Sequence, residues 1–140
     1  MNEEYSKKIY DYLLGEFRSR FNWLKLSDSD IDPRIDGLPT ILMDSCINDQ
    51  FVEEFNKDPL DSKKWSDFFD FIEELLRSGD QVVIDTIETT ILEIIASEAY
   101  VDVEAVLPYC GKMSRECIYQ SIRVFYGKPD RADHLERIFA

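Results

Sequence analysis

The stretch from Trp65 to Ser97, WSDFFDFIEELLRSGDQVVIDTIETTILEIIAS, constrains the fold more than any other part of the chain. Trp65, Phe68, Phe69, Ile72, Leu75 and Leu76 recur every three or four residues, which puts their side chains on one face of an α-helix. Ser78-Gly79-Asp80 then supplies a stop and a start in three residues. Glycine takes a left-handed backbone after one helix, and aspartate caps the free N–H groups of the next. Ile84, Ile87, Ile91, Ile94 and Ile95 renew the spacing. Two amphipathic helices joined so tightly lie antiparallel, so the stretch predicts an αα-hairpin at the centre of the core.

The flanking segments extend the same pattern. Tyr5, Ile9, Tyr12, Leu13, Phe17, Phe21 and Leu24 mark the apolar face of a helix predicted over residues 2–26, with Gly15 in its interior. Residues 27–39, SDSDIDPRIDGLP, read as a charged loop. Asp28, Asp30 and Asp32 imitate the start of a calcium loop, but the sixth and twelfth positions, which need Gly and a bidentate Glu, hold Pro33 and Pro39. Ile41, Leu42, Cys46, Ile47, Phe51, Val52 and Phe55 predict one long helix or two short ones, with residues 40–47 open to either helix or strand. Asp61 or Ser62 is placed to cap the helix that carries Trp65.

Downstream, a short apolar helix from Tyr100 ends at Pro108 and Gly111. Ser114 is expected to cap a helix that turns Cys117, Ile118, Ile122 and Phe125 to the core, and Asp130 to cap a last amphipathic segment with Leu135, Ile138 and Phe139. A chain of 140 residues buries one core rather than two. The expected architecture is all-α: a single domain over residues 1–140, a compact bundle of about six to seven helices built from antiparallel αα-hairpins, HEAT/armadillo-like in character.

Charge is distributed unevenly. Residues 27–108 carry 21 Asp/Glu against five Lys/Arg, residues 1–26 four against five, and residues 109–140 four against six, within a net charge of −13. Such a field repels nucleic acid and anionic membrane and attracts basic proteins. The alternative is that these acids are simply a solvated, solubilising face. With no apolar run long enough for a bilayer and no leader-like N-terminus, a cytoplasmic location is expected.

Cys46, Cys110 and Cys117 are odd in number and scattered, so reduced thiols are expected rather than a disulfide framework or zinc site. His134 is the single histidine, which excludes a centre built on two imidazoles. Neither a phosphate-binding glycine loop nor a G-x-S-x-G or H-E-x-x-H motif occurs. No catalytic residue, metal or cofactor is expected.

Candidate partner-binding residues come from the acidic middle. Asp67, Asp70 and Glu74 fall together opposite the apolar face of the Trp65 helix, at about 100° per residue. Glu53 and Glu54 are further candidates, and the loop acids Asp28, Asp30, Asp32 and Asp36 form a second patch. As a catalytic pair Glu53 and Glu54 are poorly placed, since adjacent helical residues point about 100° apart. Glu88 sits at the margin of the isoleucine stripe and is read as a boundary carboxylate. An alternative is an αα-repeat scaffold or adaptor that binds a peptide or regulatory partner through exposed aromatics such as Tyr100, Tyr109 or Tyr126.

The sequence FDFIEELLRSGDQVVIDTIETTILEIIAS, followed by LPYCGKMSRECIYQSIRVFYG, resembles a group of small acidic all-helical bacterial proteins of unknown function. Some of that group look like immunity proteins of polymorphic-toxin (contact-dependent inhibition) systems. The shared pattern is a helix ending before Ser78-Gly79-Asp80, the triplet Ile91-Leu92-Glu93, and an L-P-x-x-G-K-x-S entry at Leu107 to Ser114. It covers the C-terminal half, leaves residues 1–60 outside, and carries over no binding residues. The resemblance implies an inhibitor of a cognate toxin. A nuclease is the natural target of an acidic protein, because an enzyme that holds a phosphate backbone presents Lys and Arg.

Overall fold

The computed structural model describes residues 3–26 and 43–139. Among these residues there are seven helices and no strand. Helix α1 is Glu3–Arg20. Helix α2 opens as a π-helical turn, Met43–Asn48, and continues as the α-helix Asp49–Lys57. Helix α3 is Ser62–Leu76. Helix α4 is α-helical over Gln81–Ile87, π-helical over Glu88–Leu92 and α-helical again over Glu93–Ala96. Helix α5 joins Val103–Val106 to a 3-10 turn, Leu107–Tyr109. Helix α6 is Lys112–Gln120 with a π-helical end, Ser121–Phe125, and α7 is Pro129–Ile138.

The α3–α4 hairpin forms as its sequence dictates. Gly79 takes φ +80°, and the Asp80 carboxylate accepts from the amides of Val82 (2.9 Å) and Val83 (3.2 Å). Asp61 caps α3 by accepting from the Lys64 amide. Helix α3 packs against α4, α5 and α6, while the π turns of α2 and α4 pack on each other. All six apolar residues named on α3 are buried, and Phe71 joins them.

Around α3 the core is aromatic. Phe51 stacks on Phe68 at 5.3 Å, and Trp65 meets Phe51, Phe55 and Trp23 edge-on at 5.0–5.6 Å. Offset and edge-on contacts of this kind add about 0.5–1.5 kcal/mol each beyond area burial. Trp65 also donates its indole N–H to the Asp58 carbonyl at 2.7 Å, so its one polar atom is satisfied.

Four expectations are corrected. Helix α1 ends at Arg20 rather than near residue 26, and Phe21 and Leu24 enter the core from the turn that follows. Tyr5 and Tyr12 are exposed while Leu14 is buried. At 100° per residue both tyrosines fall on the margin beyond Ile9, and Leu14 falls on the opposite margin, which is the one that packs. Phe125 is 67% exposed, because the π turn rotates it off the stripe set by Ile118 and Ile122. Ile138 is exposed as well.

Two caps also differ. Lys128, not Asp130, precedes α7, and Pro129 opens it, a position where a missing N–H leaves no donor unmet. Gly111, not Ser114, stands at the N-cap of α6, and Ser114 is buried in its first turn. The carboxylate that serves this helix comes from Glu73 on α3. Residues 43–47 are helical, which settles that part of the helix-or-strand ambiguity; residues 40–42 lie outside the described residues.

Glu98 is the one non-glycine residue with positive φ (60°) among the described residues, just past the end of α4. Arg131 donates to its carboxylate at 2.7 and 3.0 Å, tying this turn to α7.

Candidate partner-binding face

Phe17 of α1 and Phe21 of the turn after it pack on phenylalanines of α3. Phe17 meets Phe71 edge-on at 5.1 Å, and Phe21 meets Phe68 at 5.3 Å. On the outer side of this contact is a shallow depression of about 320 Å³, lined by Arg20, Phe21, Asp67, Asp70, Phe71 and Glu74. Three of the acids predicted from helical spacing therefore share one concave surface.

Their electrostatic states differ. Asp67 accepts from Lys63 at 3.0 Å, a pair at i, i+4 on the same exposed face. Glu74 pairs with Arg20 at 3.4 Å, and Arg20 is held more closely by Glu16 at 2.9 Å. Both partners of each pair are solvated, so each contributes about 0–1 kcal/mol. The Asp70 side chain makes no ion pair or hydrogen bond among the described residues. The Arg20 guanidinium lies over the Phe71 ring, 4.3 Å from its centroid. Arg20 and Glu16 were not singled out in the sequence; their i, i+4 spacing at the end of α1 was the available signal.

Glu53 and Glu54 diverge, as adjacent helical residues must. Glu53 is exposed and pairs with Lys57 at 3.3 Å. Glu54 accepts from Lys64 at 2.8 Å, and both are largely covered. The hydrogen bond from Lys64 holds the Glu54 carboxyl below the usual carboxylate range. Lys64 in turn lies 5.0 Å from the Trp23 ring and 5.2 Å from Trp65. Glu54 therefore ties α2 to α3 and does not line the depression. Asp28, Asp30, Asp32 and Asp36 lie outside the described residues.

The remaining reactive groups are quiet. Burial, followed by the nearby Glu88 carboxylate, pushes the Cys117 thiol up to about 12; its Sγ lies 3.3 Å from Glu88 Oε1. Burial raises the Cys110 thiol further. Neither is a thiolate at neutral pH, so neither is an activated nucleophile. No group of three or more His, Cys, Asp or Glu side chains is arranged to hold a metal among the described residues. No helix among them is long and apolar enough to cross a membrane.

Of the aromatics considered for an apolar interface, Tyr100 is exposed. Tyr109 donates to the Pro59 carbonyl at 2.9 Å and Tyr126 to the Glu93 carbonyl at 3.0 Å, so both hydroxyls are engaged within the fold. Val124 and Phe125, not anticipated as surface residues, are 65% and 67% exposed, and Phe125 meets Tyr126 edge-on at 4.8 Å.

Residues 10–127 match a family model described as a domain of unknown function (DUF7674). Neither a curated protein nor a solved structure matches the chain. The matched span runs from within α1 to the turn before α7, so it takes in every residue that lines the depression and much of the N-terminal region outside the resemblance noted above. The chain therefore belongs to the DUF7674 family of domains of unknown function.

Proposed function

We propose that this protein is a protein-binding inhibitor, an immunity protein that neutralises a cognate toxin domain, with a nuclease as the chemistry that fits best. The observation that carries this reading is the concave acidic face of α3. Asp70 is exposed and unpaired among the described residues, and Asp67 and Glu74 flank it with weak, solvated ion pairs that a partner's cations can replace. Lys and Arg that hold a phosphate backbone are the natural complement of such a face. In this reading the chain binds rather than catalyses, acts in the bacterial cytoplasm, and touches neither nucleic acid nor membrane.

The test is a pull-down with the variable C-terminal domain of a large secreted protein encoded beside this gene, followed by titration of the complex with salt. Affinity should fall steeply with salt, and the triple variant Asp67→Asn, Asp70→Asn, Glu74→Gln should remove most of that slope. Unchanged affinity and slope in the triple variant would sink the electrostatic reading.

The exposed Val124 and Phe125 favour a second reading, a scaffold or adaptor that binds a peptide or regulatory protein through an apolar surface. Phe125→Ala would then cost most of the affinity, and salt would change it little.

A further inference from the structure

The depression between α1 and α3 is more than a set of acids, because one of its walls is a cation seated on an aromatic ring. Arg20 lies 4.3 Å over the Phe71 centroid while its Nε and Nη1 reach Glu16 and Glu74 at 2.9 and 3.4 Å. These are the contacts a guanidinium seeks: a planar π face below and carboxylates at the edge. The seat is shallow. The Arg20 side chain is 40% exposed, whereas Phe71 beneath it is 2% exposed.

Lys64 provides an internal contrast. It too combines aromatic rings, Trp23 and Trp65, with a carboxylate, Glu54, but its side chain is only 18% exposed and it bridges two helices. Lys64 is part of the packing. Arg20, by contrast, is the last residue of α1, with non-helical chain after it and open space beside it next to the unpaired Asp70.

We propose that this groove receives an arginine side chain of the basic partner, on the Phe71 face and against Asp70 and Glu74, in the place that Arg20 fills in the free protein. The proposal rests on the basic-partner reading above and sharpens it: the groove selects guanidinium over ammonium. Arg20 is then an intramolecular stand-in. It covers an aromatic face that would otherwise be wet, and it yields because its own ion pairs are solvated ones.

The full chain, labelled with nitrogen-15, is titrated at low salt with a glycine-flanked tetra-arginine peptide and with its tetra-lysine counterpart. The arginine peptide should bind about three- to five-fold more tightly, with amide shifts centred on Asp70, Phe71 and Glu74. Arg20→Ala should tighten arginine binding about three-fold by vacating the seat, and Asp70→Asn should weaken it by a similar factor. Both substitutions are on the surface, and thermal melts establish that each variant is folded.

If both peptides bind equally, or Arg20→Ala has no effect or weakens binding, the guanidinium seat is overturned while a basic partner still stands. If neither peptide binds at low salt, the seat and the electrostatic reading fall together.

Discussion

Glu73 holds Ser114 by two hydrogen bonds across 41 positions of sequence: its carboxylate accepts from the Ser114 amide at 3.0 Å and from the Ser114 hydroxyl at 2.8 Å. A third bond comes from the Met113 amide at 2.8 Å. A side chain of α3 thereby satisfies two of the free N–H groups of α6, and the favourable end of the helix dipole faces a negative charge. Glu73 is 8% exposed, so these donors have little water to fall back on. Glu73→Ala should destabilise the protein by about 2–3 kcal/mol, as loss of a cap and exposure of unmet buried donors combine. Urea unfolding measures this. A loss below about 0.5 kcal/mol, the low end for a cap, would refute the assignment.

Gly111 is packed against the same carboxylate. A Cβ at this position would lie 2.5 Å from Glu73 Cδ and 2.7 Å from Cγ and Oε1. Because Glu73 is pinned by three hydrogen bonds, it has little freedom to yield. Gly-to-Ala changes usually stabilise by about 0.4–1 kcal/mol through the unfolded chain. Gly111→Ala should do the reverse and lower the midpoint of thermal unfolding, and in a Glu73→Ala background most of that penalty should disappear. A double-mutant cycle reads the coupling directly.

Tyr5 and Asp80 join the start of α1 to the cap of α4, with the phenol donating to Asp80 Oδ2 at 2.5 Å. This bond, followed by those from the Val83 and Val82 amides, holds the Asp80 carboxyl below its ordinary value. A carboxyl lowered on folding contributes stability that is present above the unfolded pKa and lost as pH falls through the folded one. The stability difference between the natural protein and Tyr5→Phe should therefore be largest at neutral pH and shrink in the acid range below the usual aspartate pKa. Urea midpoints at neutral and acid pH check it; a difference that does not change with pH would contradict the coupling.

The Tyr119 hydroxyl is buried and has no hydrogen-bond partner among the described residues. Burial raises its pKa, with Glu136 and Cys110 adding to the effect and Arg115 opposing it. Removing a polar atom that folding leaves unmet relieves its desolvation cost, which is about 1–3 kcal/mol. Tyr119→Phe should be neutral or stabilising by up to about 1 kcal/mol. A clear fall in the thermal midpoint would show that the hydroxyl is engaged.

Helical period and turn chemistry made the α3–α4 hairpin legible, down to Gly79 and Asp80, and the same arithmetic placed Asp67, Asp70 and Glu74 on one face. Glu73 was not legible. An acid between Ile72 and Glu74 reads as part of the solvated side, and the reason it is buried lies 40 residues away at the start of α6. Phe125 failed for a different reason: a fixed step of 3.6 residues per turn assumes a regular helix, and Ser121–Phe125 is not one. The pairing of Glu54 with Lys64 was also hidden, since it depends on how α2 lies against α3.

The π turn at Glu88–Leu92 places one more residue in α4 than a regular helix of the same rise requires. In register terms it is a phase shift. The residues before it, such as Val83 and Ile87, are indexed to one set of neighbours, and Ile95 and Ala96 after it to another. Deleting a single residue here would straighten the helix and keep its composition almost unchanged. Later side chains, Ile95 among them, would keep their facing, because the turn absorbs one surplus residue; the same deletion in a regular part of the helix would rotate them by about 100°. A one-residue deletion at this turn is therefore closer to one in a loop than to one in a regular helix, and a relative with a one-residue gap across residues 88–92 keeps the phase of the helix beyond it.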